Sequence, residues 1–138
     1  MFTSVVSTLR RRDYLGLAIA TIAVGLTVHL EGDALGARAQ DVSGDALWAM
    51  MMMWWVSVLL PRVRAVTRGV LAYGACVTVE CSQLVHARGL EAIRATRLGH
   101  LVLGSDFDAR DLAAYFAGVC IAVALSLALE HVVVSRQH

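Results

Sequence analysis

The chain has 138 residues, 58% of them hydrophobic, with a mean hydropathy of +0.65 and a single proline, Pro61. Soluble domains run nearer to about 45–50% apolar, so the composition points to an integral membrane protein. The formal net charge is +1 and no basic run exceeds Arg10-Arg11-Arg12, which excludes the basic face or stripe that a nucleic-acid partner requires.

Residues 1–13 form a polar head ending in Arg10-Arg11-Arg12-Asp13. Tyr14 to Leu30 is then free of charge, and its length is near the lower limit for crossing a hydrocarbon core of roughly 30 Å. A first span over roughly 14–30 follows. Ala37-Arg38-Ala39 resembles a small-residue cleavage site, so a signal peptide is the rival reading. That site lies beyond Glu31 and Asp33, away from the apolar run, and a retained helix is the expectation.

Residues 31–44 read as a loop containing Gly and Asp. Ser43 is placed to cap the next helix, and Asp45 in its first turn suits the positive end of the helix dipole. The second span, 45–60, holds Trp48, Trp54, Trp55 and the run Met50 to Met53. Four adjacent methionines suggest a metal or cofactor box, but adaptable core packing is their commoner use. Pro61 ends the helix, and Arg62, Arg64 and Arg68 read as a basic turn.

The third span, 69–86, carries Tyr73 as an interfacial anchor. It also carries Glu80 and Gln83, three residues apart and so on one helical face. Residues 87–110 mix Arg with Leu, Ile and Val. They are too charged to span, and form an interfacial or re-entrant helical connector. The fourth span, 111–134, opens on Asp111 with Tyr115 one turn further along. No internal repeat or linker divides the chain. The expected architecture is an all-α integral membrane protein, one domain over 1–138 with four transmembrane helices.

Arginine distribution orients these spans. One set of ends carries Arg10, Arg11, Arg12, Arg62, Arg64, Arg68 and Arg136 with Asp13 as its only acid. The other set carries five Arg and nine acids. By the positive-inside rule both termini are cytoplasmic, in a bacterial inner membrane. Asp45, Glu80, Gln83, Asp111 and Tyr115 then fall near the outer interface together with Arg94, Thr96 and Arg97 on the connector. A charged residue at the bilayer centre costs roughly 2.5–3.5 kcal/mol on insertion scales, less near an interface, so such residues mark a function or a paired polar core. Arg94 and Arg97 suit pairing with Glu80 and an aspartate, or bidentate binding of a phosphate or carboxylate ligand.

Other candidates carry weaker signals. His86 and His100 with Glu80 match no established metal spacing, so neither a metal site nor a cofactor is expected. His29 reads as the outer end of the first span, and Glu130 and His131 as residues near the cytoplasmic interface. Ser82 and Ser105 lack a G-x-S-x-G context, which leaves a serine nucleophile without support. Cys76, Cys81 and Cys120 form no C-x-x-C pair and read as small buried hydrophobes.

The elements S-G-D-A-L-W-A-M at 43–50, V-E-C-S-Q-L at 79–84, I-R-A-T-R-L-G at 93–99, L-V-L-G-S-D-F at 101–107 and D-L-A-A-Y-F-A-G at 111–118 occur in one order. Their set resembles a group of small bacterial membrane proteins known as a domain of unknown function. That group is similar in turn to the VanZ-like family, named for a teicoplanin-resistance protein. By position, Asp45, Trp48, Glu80, Gln83, Arg94, Thr96, Gly99, Gly104, Phe107, Asp111, Tyr115 and Gly118 match its pattern. Related sequences tend to carry an aromatic residue where this chain has Arg110. The resemblance implies four helices and an envelope location, and brings no reaction with it.

These readings converge on a small inner-membrane protein with an outward-facing polar pocket for the head group of an anionic lipid or lipid-linked envelope precursor. The ligand-binding candidates are Asp45, Glu80, Gln83, Arg94, Arg97, Asp111 and Tyr115, with membrane lipids as partners. One alternative is a non-catalytic subunit or scaffold that meets other membrane proteins or a second copy of itself. Another is a lipid-modifying enzyme that uses Glu80 or Asp111 for proton transfer. No catalytic residue is fixed by the sequence.

Overall fold

The computed structural model of the chain describes residues 9–31, 36–104 and 106–136, apart from the side chain of residue 101. Every regular element among them is a helix: α1 (Arg11–Glu31), α2 (Ala37–Leu59), α3 (Ala65–Ser82), α4 (Arg88–Arg94), α5 (Arg97–Leu103) and α6 (Ala109–Ser135). Of these, α1, α2 and α6 are long and apolar enough to cross a membrane. The helix over the expected third span, α3, is not among these three, since Arg68 and Glu80 within it lower its mean hydropathy.

The long helices alternate in direction, and α2 packs against α1, α3 and α6. Small residues let the backbones close up: Ala18, Ala49, Ala72 and Ala122 are fully buried among Tyr14, Met53, Trp54, Cys76 and Val119. Gly118 marks the close approach of α6 to α2, since a Cβ there would run into the carbonyl of Ala46. Large apolar side chains such as Ile19, Leu30, Val70 and Phe116 face outward, as a lipid-facing surface requires.

Several boundaries differ from the sequence expectation. The second helix starts at Ala37, so Ala37 to Ala39 forms its first turn, and Ser43 and Asp45 lie inside it. Gly36, at φ +81, occupies the N-cap without a side-chain bond. Gln40 anchors this extension by donating from Nε2 to the carbonyls of His29, at 2.8 Å, and Val28 at the end of α1. The stop at Leu59 before Pro61 is as the proline dictates. The third helix starts at Ala65 and ends at Ser82, so Arg68 belongs to a helix and not to a basic turn.

The connector is two short helices. Thr96 turns the corner between them: its hydroxyl accepts from the Gly99 N–H at 3.0 Å and donates to the Ile93 carbonyl at 2.7 Å. Gly104 closes α5 with φ +64, a backbone region that favours glycine, and a Cβ there would collide with the Gln83 amide. Of the cysteines, Cys76 is buried while Cys81 and Cys120 lie on the exposed surface. Met53 is fully buried and Met50 to Met52 pack partly buried beside it, a core role.

Candidate functional site

Glu80 sits near the end of α3 with no exposed surface, and everything around it is built to satisfy its carboxylate. One oxygen accepts the Asp108 backbone N–H at 2.8 Å, just where α6 begins. The other accepts the Tyr115 hydroxyl at 3.0 Å and the Gln83 amide Nε2 at 3.3 Å. Gln83 Nε2 also donates to the Leu103 carbonyl at 2.9 Å, which ties α5 to the same point. Trp48 of α2 lies against the Tyr115 ring at 5.5 Å between centroids. Glu80 is thus the knot that joins α3, α5 and α6. A carboxylate enclosed by three donors is poorly placed to act as a general base.

Beside this knot stands a set of carboxylates. The side chains of Asp45 on α2 and Asp111 on α6 are within hydrogen-bonding reach of each other, with Glu80 and Asp41 as their next charged neighbours. Asp108 adds a further charge near Asp111. Both Asp45 and Asp111 are half-buried, so they remain accessible where Glu80 does not. These neighbours, Glu80, Asp41 and Asp108, are all acidic. Gln83 is 6% exposed, and its Oε1 has no donor among the described residues.

The arginines expected to balance these acids are elsewhere. Arg94 donates from Nη1 to the Val85 carbonyl at 3.1 Å and from Nη2 to the Ser82 carbonyl and hydroxyl, leaving Nε without a partner. It caps the end of α3, whose last carbonyls have no helical donor and carry the negative end of the dipole. Arg97 is exposed in the first turn of α5. The two ion pairs among the described residues are Arg12–Asp13 and Arg68–Glu130, so the expected pairing of Arg94 and Arg97 with Glu80 and an aspartate is not formed. Neutral donors already fill the Glu80 oxygens, and free helix-end carbonyls claim Arg94.

A second polar layer lies at the opposite end of the bundle, and sequence reasoning passed over it. Arg68, fully buried, places Nη2 2.6 Å from Glu130 Oε1 and 3.2 Å from Ser126 Oγ. The Tyr14 hydroxyl donates to the same Glu130 oxygen at 2.9 Å, and Ser126 Oγ donates to it at 3.0 Å. The guanidinium also lies over the Tyr14 ring, 4.8 Å from its centroid. Trp54 stacks beside Tyr14 and donates to Thr21 Oγ1 at 3.0 Å. The available signal was Glu130 inside a long apolar run, which demands a buried partner.

The remaining candidates stay apart. His29, His86 and His100 are exposed, and no group of three or more His, Cys, Asp or Glu among the described residues is placed to hold a metal ion. The Ser82 hydroxyl donates to the Val79 carbonyl of its own helix, while Ser105 lies outside the described residues. An apolar groove of about 390 Å³ runs between α3 and α6, lined by Val66, Gly69, Val70, Phe116, Val123 and Leu127. Its upper wall is Tyr73, whose hydroxyl donates to the Leu112 carbonyl at 3.3 Å, next in sequence to Asp111.

Fold and site together define a class: a small bundle of membrane-length helices with an acid-rich polar layer at one end and an ion-paired layer at the other. Residues 36–119 match the family described as "Protein of unknown function (DUF2809)", and the chain belongs to that family. The match takes in Asp45, Glu80, Gln83, Arg94, Arg97, Asp111 and Tyr115, and leaves out Tyr14, Ser126 and Glu130. No solved structure matches the chain.

Proposed function

We propose that this protein recognises the head group of a phosphate-bearing amphiphile, a phospholipid or a lipid-linked envelope precursor, at the layer formed by Asp45, Glu80, Gln83, Asp111 and Tyr115. The observation that carries this reading is an apolar groove between α3 and α6, the two helices that also carry Glu80, Asp111 and Tyr115. The groove between α3 and α6 ends at Tyr73, which bonds the backbone beside Asp111. An acyl chain in the groove would bring its head group to that end. Arg97, exposed on α5, is the cationic group available to a phosphate, and Arg94 orders the end of α3 beside it.

In this reading α3 crosses the membrane beside α1, α2 and α6 as a fourth span. Its 18 residues cover roughly 27 Å at helical rise, and its charges Arg68 and Glu80 are buried and partnered. The Arg-rich ends face the cytoplasm of a bacterial cell and the acid-rich layer faces outward across the inner membrane. The VanZ-like resemblance agrees with an envelope role. Native mass spectrometry of the detergent-purified protein tests the proposal. Phospholipid is expected to remain bound to the wild type and to be lost from Arg97→Ala combined with Arg94→Lys. Unchanged retention in a folded variant would refute it.

A further inference from the structure

Beyond the buried Arg68–Glu130 pair, at the Arg-rich surface of the same end, the turn from α2 to α3 meets the start of α1 around a cavity of about 360 Å³. Among the described residues it is lined by Arg11, Leu59, Leu60, Pro61, Arg62 and Val63. Pro61 sets the turn, and the Val63 N–H closes it on the Leu60 carbonyl at 3.1 Å, which carries Arg62 at its tip. Arg11, the first residue of α1, lines the same cavity from a separate element. Both arginines are exposed, and neither takes part in an ion pair among the described residues. Asp13, the exposed acid of this end, is turned to its own helix. It accepts the Arg10 N–H at 2.8 Å and lies 3.7 Å from Arg12. Arg64 and Arg136, also exposed, add further positive charge to the same end.

The rest of the lining is apolar and open. Leu59 is 70% exposed and Leu60 40%, and Trp55, one turn earlier on the face of α2 that carries Leu59, is 38% exposed. Open apolar side chains next to two uncompensated guanidiniums match an amphiphile at a membrane surface better than a soluble anion. Arginine takes phosphate oxygens through paired N–H bonds, and basic pockets between helix ends attract the anionic head groups of the adjoining leaflet. We propose that this cavity is a lipid site in its own right. It holds the phosphate of an anionic phospholipid between Arg11 and Arg62, with an acyl chain running along Leu59 and Trp55. The site shares no residue with the head-group layer proposed above and lies in the opposite leaflet. Its guanidiniums are exposed, so salt screens it and its lipid exchanges with the bilayer. It is therefore read in vesicles and not in detergent.

The test uses the full chain in phosphatidylcholine vesicles that contain a minor fraction of brominated phosphatidylglycerol or of brominated phosphatidylcholine. Quenching of tryptophan fluorescence is compared between the two. At low ionic strength phosphatidylglycerol is expected to be preferred near Trp55 by roughly tenfold, a preference that falls as salt is added. Trp55→Phe is expected to remove the difference in quenching. Arg11→Gln with Arg62→Gln is expected to abolish most of the preference, with the thermal unfolding transition unchanged. Arg64→Gln with Arg136→Gln takes the same charge from the same end outside the cavity, and is expected to keep most of it. Equal loss from the two pairs would replace the site by a diffuse basic surface and overturn the proposal. So would a folded wild type that shows no preference. Displacement by inorganic phosphate, but not by chloride at equal ionic strength, would give the cavity to a soluble phosphate and overturn the lipid assignment.

Discussion

At one end of the bundle Arg68 and Glu130 meet at 2.6 Å, with Tyr14 and Ser126 donating to the same carboxylate oxygen. At the other end Asp45, Glu80 and Asp111 gather, and Arg94 on the connector is turned to backbone carbonyls. Both layers put charge inside a helical bundle, where each unpaired charge is costly. The first pairs a cation with an anion and links α1, α3 and α6 through long side chains, with Arg68 Nε and Nη1 buried without a hydrogen-bond partner among the described residues. The second is acidic, half-open at Asp45 and Asp111, and holds a buried acceptor with nothing to receive. A buried layer of paired opposite charge reads as a fastening. An open layer of like charge reads as a place where something else supplies the balance.

Substitutions at the two ends are expected to separate these roles. The largest effect belongs to the ion-paired layer. Glu130→Gln leaves Arg68 buried without its counter-charge and is expected to cost about 3–5 kcal/mol, read as a fall in thermal unfolding temperature in detergent. Replacing both partners together, Arg68→Met with Glu130→Met, is expected to recover most of that loss. Next comes the backbone contact between α2 and α6. Gly118→Val places side-chain atoms against the Ala46 carbonyl and is expected to destabilise by about 1–3 kcal/mol, or to misfold outright.

Within the acid-rich layer the effects are smaller. Tyr115→Phe removes one of the three donors to Glu80 and is expected to cost about 1–2 kcal/mol by the same unfolding assay. Asp45→Asn removes one of two facing carboxyl charges. Its expected effect on the ligand-free protein is a change within about 1 kcal/mol, neutral or stabilising. Loss as large as that of Glu130→Gln would mean that Asp45 has a structural cation after all.

Much of the fold was legible because long uncharged runs leave few alternatives. The apolar stretches around Tyr14–Leu30, Ala46–Leu60 and Leu112–Val134 coincide with α1, α2 and α6. The start of α2 was not legible. Residues 37–44 are polar and contain Gly44, and they hold a helix through a tertiary contact, Gln40 with the end of α1, that local pattern does not encode. Arg68 was misplaced for a related reason. Next to Arg62 and Arg64 it reads as a basic turn, and its partner Glu130 is 62 positions away.

The site divides in the same manner. Glu80 with Gln83 followed from helical spacing, and Asp45 beside Asp111 from the alternation of helix direction. The partners of Arg94 did not follow, because helix-end carbonyls are present in every sequence and carry no residue signature. The open Oε1 of Gln83 was equally invisible. It depends on which face of one amide is filled, a fact of packing alone.

The most direct test of the contrast between the layers sets Glu130→Gln and Asp45→Asn side by side in one detergent, by thermal unfolding of lipid-depleted protein. The account predicts a large loss for Glu130→Gln and an unchanged or raised transition for Asp45→Asn. Equal losses for the two would contradict it, since both layers would then be fastenings and neither would await a ligand.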